Sequence, residues 1–127
     1  MREACFYYFG CVLSAAEIRM LMLQKDKDDF YVYVLEQGLQ YRRVGHAEDS
    51  FRIVIGKELE CFTDKNPYNL DKERPYTEMY EIDYKPYELS LMDRIELQRT
   101  LYIVGCYEMP TYWATYNYML YEGEEDI

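Results

Sequence analysis

Residues 5–24, CFYYFGCVLSAAEIRMLMLQ, decide the fold of this chain. Cys5 to Leu13 is an aromatic and β-branched run of the kind that suits a strand buried on at least one face. Ser14 then stands three residues before Glu17, the spacing of a capping box: the serine oxygen accepts from the Glu17 N–H while the carboxylate reaches back to the Ser14 N–H. Beyond the cap, Ala15, Ile18, Leu21 and Met22 fall on one face of a helix, which Met20 and Leu23 widen. Strand, cap and helix together place Phe6 to Leu23 in the core.

The following segments read mainly as strands. Lys25 to Asp29 is a charged turn, and Phe30 to Leu35 (FYVYVL) has strong strand character. Gly38 turns the chain, and Leu39 to Ser50 reads as polar loop. Phe51 to Ile55 alternates as a strand, and Gly56-Lys57 predicts a tight hairpin into a second strand over Glu58 to Phe62. Thr63 to Pro75 is loop, punctuated by Asn66-Pro67 and Pro75. Tyr80, Ile82 and Tyr84 alternate with Glu81 and Asp83 as a strand with an acidic face, although Tyr76, Tyr80, Tyr84 and Tyr87 also suit a helix.

From Pro86 the pattern forks. Ser90 as cap, Asp93 in a first turn and Leu91, Met92 and Ile95 on one face suit a helix. Ile95, Leu97, Leu101 and Ile103, set against Arg94, Glu96, Gln98 and Thr100, suit a period of two, and the strand template fits residues 94–104 slightly better. The expectation is a strand ending near Gly105, preceded at most by a helical turn. Tyr112 to Tyr121 reads as a last, Tyr-rich strand. The predicted fold is α+β: residues 1–121 as one domain, with an antiparallel or mixed sheet of about five or six strands and one N-terminal helix packed on it, and residues 122–127 as an acidic tail.

Charge limits the partners. The 127 residues carry a net charge of −10, and residues 64–127 hold 14 of the 24 acidic side chains against 6 of the 14 basic ones. Such a field repels nucleic-acid phosphates and steers the chain towards a basic partner. Four cysteines and one histidine without a close Cys-x-x-Cys pair give poor support for structural zinc. Cys5 and Cys11 on one strand lie about 20 Å apart, too far for a disulfide. Four reduced thiols, a barely positive N-terminus and an apolar run too short to span a bilayer predict a cytoplasmic protein without cofactor or membrane partner.

Two functional readings follow. In the first, eleven of the sixteen tyrosines lie between Tyr68 and Tyr121 among acidic residues. Tyrosine supplies stiff contact area with one polar end, as binding surfaces use it. Tyr76, Tyr80, Glu81, Asp83, Tyr84, Glu88, Tyr112, Tyr116 and Tyr118 then form a surface for a basic protein, such as a nucleic-acid-binding enzyme complex. The acidic groups among the rings imitate phosphates beside bases. Phage inhibitors of the anti-CRISPR and anti-restriction type share this size and charge, and a phage-encoded chain would act in the host cytoplasm. The second reading is a small nucleotide-binding or nucleotide-cleaving protein, in which Arg42 and Arg43 hold phosphate, His46 serves as general acid or base, and Tyr41 and Lys57 lie close by. A Cys61–His46 nucleophile pair has no flanking signature, and a homo-oligomeric structural protein, which solution mass would reveal, is a third alternative.

Overall fold

In a computed structural model, which describes residues 2–25, 29–45, 50–67, 70, 79–82 and 87–119, the chain order is β1 (Arg2–Ser14), α1 (Ala15–Lys25), α2 (Phe30–Glu36), β2 (Gln40–Val44), β3 (Arg52–Thr63), β4 (Met79–Glu81), α3 (Leu91–Ile103) and β5 (Thr111–Met119). The five strands form one antiparallel sheet in the order β2-β3-β1-β5-β4. The α+β fold with a five-stranded antiparallel sheet is as expected, but the described residues form three helices rather than one. No described helix is long and apolar enough to cross a membrane. The expected tail at 122–127 lies outside the described residues.

β1 sits at the centre, paired with β3 from Ala4 to Ser14 and with β5 from Arg2 to Gly10. Side chains alternate across a strand, so its two residue sets enter separate cores. Cys5, Tyr7, Phe9, Cys11 and Leu13 face the helices. The first three pack with Leu70, Ile82, Leu89 and Tyr112, and the last two with α1, α2 and the end of α3. Ala4, Phe6 and Tyr8 face the other way, into a cluster with Val44 and Val54 to which, among the described residues, only strands contribute.

The capping box forms as expected: Ser14 N–H donates to Glu17 Oε1 and Glu17 N–H to Ser14 Oγ, each at 3.2 Å. Ala15, Ile18 and Leu21 are buried beneath α1, whereas Met20 and Leu23 are exposed and not part of the core stripe.

Phe30 to Glu36 is a helix, contrary to its strand-like composition. Asp29, which reads in the sequence as one more charge in a turn, caps it by accepting from the N–H groups of Tyr31 and Val32. Phe30, Tyr33 and Val34 are buried and Val32 and Leu35 exposed, a period of three and four that overrides β propensity. The helix closes with Gly38 N–H donating to Leu35 C=O and Leu39 N–H to Val34 C=O, a Schellman motif.

α3 follows the same plan and replaces the strand expected over 94–104. Ser90 Oγ accepts from Asp93 N–H at 3.2 Å, and the helix ends with Gly105 N–H donating to Tyr102 C=O and Cys106 N–H to Leu101 C=O. Gly38 and Gly105 take positive φ in these two motifs, +78° and +104°. Leu101 is buried while Ile103 is exposed, which breaks the period-two pattern that favoured a strand.

Two further expectations change. The polar stretch after Gly38 contains the edge strand β2, and Arg52 to Thr63 is one continuous strand with no hairpin at Gly56-Lys57. Gly56 lies directly opposite Gly10, and a Cβ on either glycine would fall on the other strand's backbone, at the Ile55 or the Phe9 carbonyl. The glycine pair therefore lets β1 and β3 approach. Just beyond it, the register shifts between Tyr7 and Tyr8, a β-bulge that leaves Leu59 as the extra residue of β3.

Two stability predictions follow from this core. Gly10→Ala and Gly56→Ala should each cost about 3 kcal/mol or more in urea unfolding, because neither backbone can yield without breaking the central ladder. Burial, the leading cause for both residues, raises the Tyr7 and Tyr8 phenols above their ordinary 10.0. The unfolded chain thus loses these protons first, so stability is full below about pH 10 and falls as pH rises beyond it, by about 1.4 kcal/mol per pH unit for each phenol. Urea midpoints measured from pH 9 to pH 11 should show this fall, and Tyr8→Phe should make it shallower.

Candidate functional site

Of the residues expected to form an acidic, Tyr-rich surface, the described ones divide between surface and core. Glu81, on the edge strand β4, is exposed and its carboxylate accepts from Thr111 Oγ1 at 3.5 Å; Tyr80 beside it is half-buried. Glu88 is exposed between two fixed neighbours: Tyr7 Oη donates to the Tyr87 carbonyl at 2.9 Å, and Leu89 N–H donates to Tyr112 Oη at 3.3 Å. Tyr112 and Tyr116 are only 3% and 2% exposed. Tyr112 stacks on Tyr7 with centroids 5.7 Å apart and tilts against Phe9 at 5.0 Å. These two tyrosines are core and are withdrawn from the partner surface: on the strand they share a face with Tyr7 and Phe9, the one that the helices cover. Tyr118 pairs with Glu3 in the β1–β5 register. Tyr76, Asp83 and Tyr84 lie outside the described residues.

A surface that includes Leu91 and Met92, whose spacing with Ile95 suits one helical face, lies around Glu88. Leu91 and Met92 are 63% and 68% exposed and Tyr87 49%, interspersed with exposed Glu88, Asp93 and Glu96. Helix capping explains it. Ser90 starts α3 so that its inward side carries Arg94, Leu97 and Leu101, which turns Leu91 and Met92 outwards. The cap was legible in the sequence; the orientation depended on where the rest of the helix packs.

Arg42 and Arg43 do not meet around one anion. They are consecutive on β2 and point to opposite faces of the sheet. Arg42 lies over the Phe6 ring at 3.4 Å, donates from Nε to Tyr8 Oη at 3.1 Å, and pairs through Nη2 with Glu58 Oε1 at 3.4 Å. The Tyr8 hydroxyl donates to the same carboxylate oxygen at 2.8 Å. Burial raises the Tyr8 pKa despite the opposing guanidinium, so the phenol stays a donor. Arg43 lies over Phe51 at 4.1 Å and donates from Nε to the Gly45 carbonyl at 3.4 Å. Lys57 is one residue past the paired end of β2, His46 is outside the described residues, and burial raises the Cys61 thiol, the reverse of an activated nucleophile.

Two other arrangements were not foreseen. A cavity of about 290 Å³ lies between α3 and β5, bordered by Phe9, Leu91, Arg94, Gln98 and Tyr112, and Arg94 Nε is buried there without a hydrogen-bond partner. The side chains of Cys11 and Cys106, 95 residues apart in sequence, lie in the same core cluster, and Cys11 Sγ donates to the carbonyl of Glu108, two residues past Cys106. Among the described residues, no group of three or more His, Cys, Asp or Glu side chains is placed to hold a metal ion. Comparison with protein-family models, curated proteins and solved structures finds no match to this chain.

The internal use of Arg42 can be measured. Arg42→Ala leaves the Tyr8 hydroxyl and the Glu58 carboxylate without their cation and uncovers Phe6. It should lower unfolding free energy by about 1–2 kcal/mol in urea titration.

Proposed function

We propose that this protein is a non-enzymatic interaction protein whose acidic, aromatic surface at the start of α3 docks on a basic partner protein in the cytoplasm. The observation that carries the proposal is the exposure of Tyr87, Leu91 and Met92 among exposed Glu88, Asp93 and Glu96. Apolar side chains of this size, held by a capped helix, are anchors of the kind that contribute most at interfaces. Acidic groups around them speed encounter with a basic surface and disfavour acidic competitors. The net charge of −10 extends that steering beyond the contact itself.

The partner chemistry that suits this surface is a groove lined by Lys and Arg, as nucleic-acid-binding enzymes carry. Carboxylates set beside rings substitute there for phosphates beside bases, and the bound protein acts as an inhibitor by occupancy. A phosphate grip by Arg42 and Arg43 has no comparable support, since both guanidinium groups are engaged internally and on opposite faces.

The test is a pull-down from cell extract at low and at moderate salt. It compares the natural chain with Glu88→Lys/Glu96→Lys and with Leu91→Ala/Met92→Ala, and duplex DNA is added as competitor. Basic nucleic-acid-binding proteins should be retained at low salt and released both by moderate salt and by DNA. Each double substitution should weaken retention at least about tenfold, equivalent to 1.4 kcal/mol. Equal retention by all three chains, or a retained protein that DNA does not displace, would overturn the proposal.

A further inference from the structure

Cys11 and Cys106 are brought together by two features already described. Cys11 is on the helix-facing side of β1, past the end of its pairing with β5, so the chain entering β5 passes over it. Cys106 is fixed by the Schellman motif that ends α3, through its N–H to the Leu101 carbonyl at 2.8 Å. Both side chains belong to the same core cluster, 5% and 3% exposed, and Cys11 Sγ donates to the Glu108 carbonyl at 3.4 Å. The 106–108 segment is thus held against β1 at this point. The other two cysteines are arranged differently: Cys5 faces the helices and Cys61 the strand-only cluster, so the sheet lies between them.

Both thiols are buried, and Cys11 can be approached. A cavity of about 310 Å³ borders Gly10, Cys11, Glu17, Arg52, Glu108 and Trp113. The charged groups on its wall are Glu17, Glu108 and Arg52, which favour a small cationic reagent over an anionic one. The two thiols also differ in character. The neighbouring Cys106 thiol holds the Cys11 pKa below its usual value, against burial and Glu108, whereas Cys11 together with burial pushes Cys106 up. Cys11 borders the cavity and Cys106 does not, so Cys11 is the attacking thiol and Cys106 the resolving one.

We propose that Cys11 and Cys106 form an oxidisable dithiol that closes to an intramolecular disulfide by exchange with a small cationic disulfide. In the first step the Cys11 thiolate attacks one sulfur of the reagent; the reagent's S–S bond breaks, and one half leaves as a thiolate. In the second step Cys106 gives its proton to that thiolate and attacks Cys11 Sγ, which releases the other half. The protein loses two electrons and two thiol protons, and the reagent is reduced to two thiols. Closure ties β1 to the turn that carries the exposed Tyr107 and Met109.

The experiment uses cystamine on the natural chain, followed by intact mass and non-reducing peptide mapping, with a far-UV spectrum to confirm that the chain is folded throughout. The expected product is a Cys11–Cys106 cross-linked peptide, with a mass loss of two hydrogens in its parent. In Cys106→Ala, Cys11 should instead keep a cysteamine adduct. Cystamine-treated folded protein that carries only adducts would overturn the proposal. So would a cross-link between any other pair in comparable yield, or one that forms only in denaturant.

Discussion

The structure depends on the pairing of β1 along both of its edges. From Ala4 to Gly10 β1 is paired on both sides and leaves no backbone group for water, so its side chains there are free to be apolar on both faces, and they are. Its odd-numbered residues support the helical layer and its even-numbered residues support the strand-only cluster. A one-residue slip would exchange the two sets. The Gly10–Gly56 contact and the bulge beside Tyr8 keep that register, because each tolerates only one alignment of β3 on β1. The central strand therefore determines where the helices, Arg42 and Cys11 are placed.

The parts legible in the sequence were those in which local chemistry and tertiary packing agree. Cys5 to Gln24 is such a case: the capping box, the apolar run and the helical stripe all point to the same structure. Phe30 to Glu36 is a case of disagreement. Its composition favours strand, but a seven-residue helix held by Asp29 at one end and by Gly38 and Leu39 at the other buries three side chains and leaves the β-branched Val32 outside. The decisive signals flank the segment, so a reading of periodicity within it could not find them. α3 differs again: Ser90 was recognised as a cap, yet the accidental alternation of residues 94–104 outweighed it. Gly56 was read as a turn because glycine between two strand-like runs normally marks one, while its role here depends on a glycine 46 residues earlier.

The candidate site was less legible than the fold for a related reason. Composition located the acidic half of the chain but could not sort its tyrosines by face, and Tyr112 and Tyr116 proved to be core while Tyr87 was exposed. The thiol pair had no sequence signal at all. Cysteines at 11 and 106 become neighbours only because the end of α3 returns over the centre of the sheet.

The disposition of charge has a consequence for binding. Arg42 and Arg43 lie half-buried over the Phe6 and Phe51 rings, and Arg94, on the inward side of α3, has its Nε buried. By contrast, Glu17, Glu36, Glu60, Glu81, Glu88, Asp93, Glu96 and Glu108 are all exposed. A cation stacked on an aromatic ring gives up part of its hydration to the ring quadrupole and presents less of its field to solvent. A partner approaching this surface therefore meets a field more negative than the formal count of charges conveys. In a chain with 14 basic residues against 24 acidic ones, using two of them to cover aromatic rings strengthens the acidic surface without adding a single carboxylate.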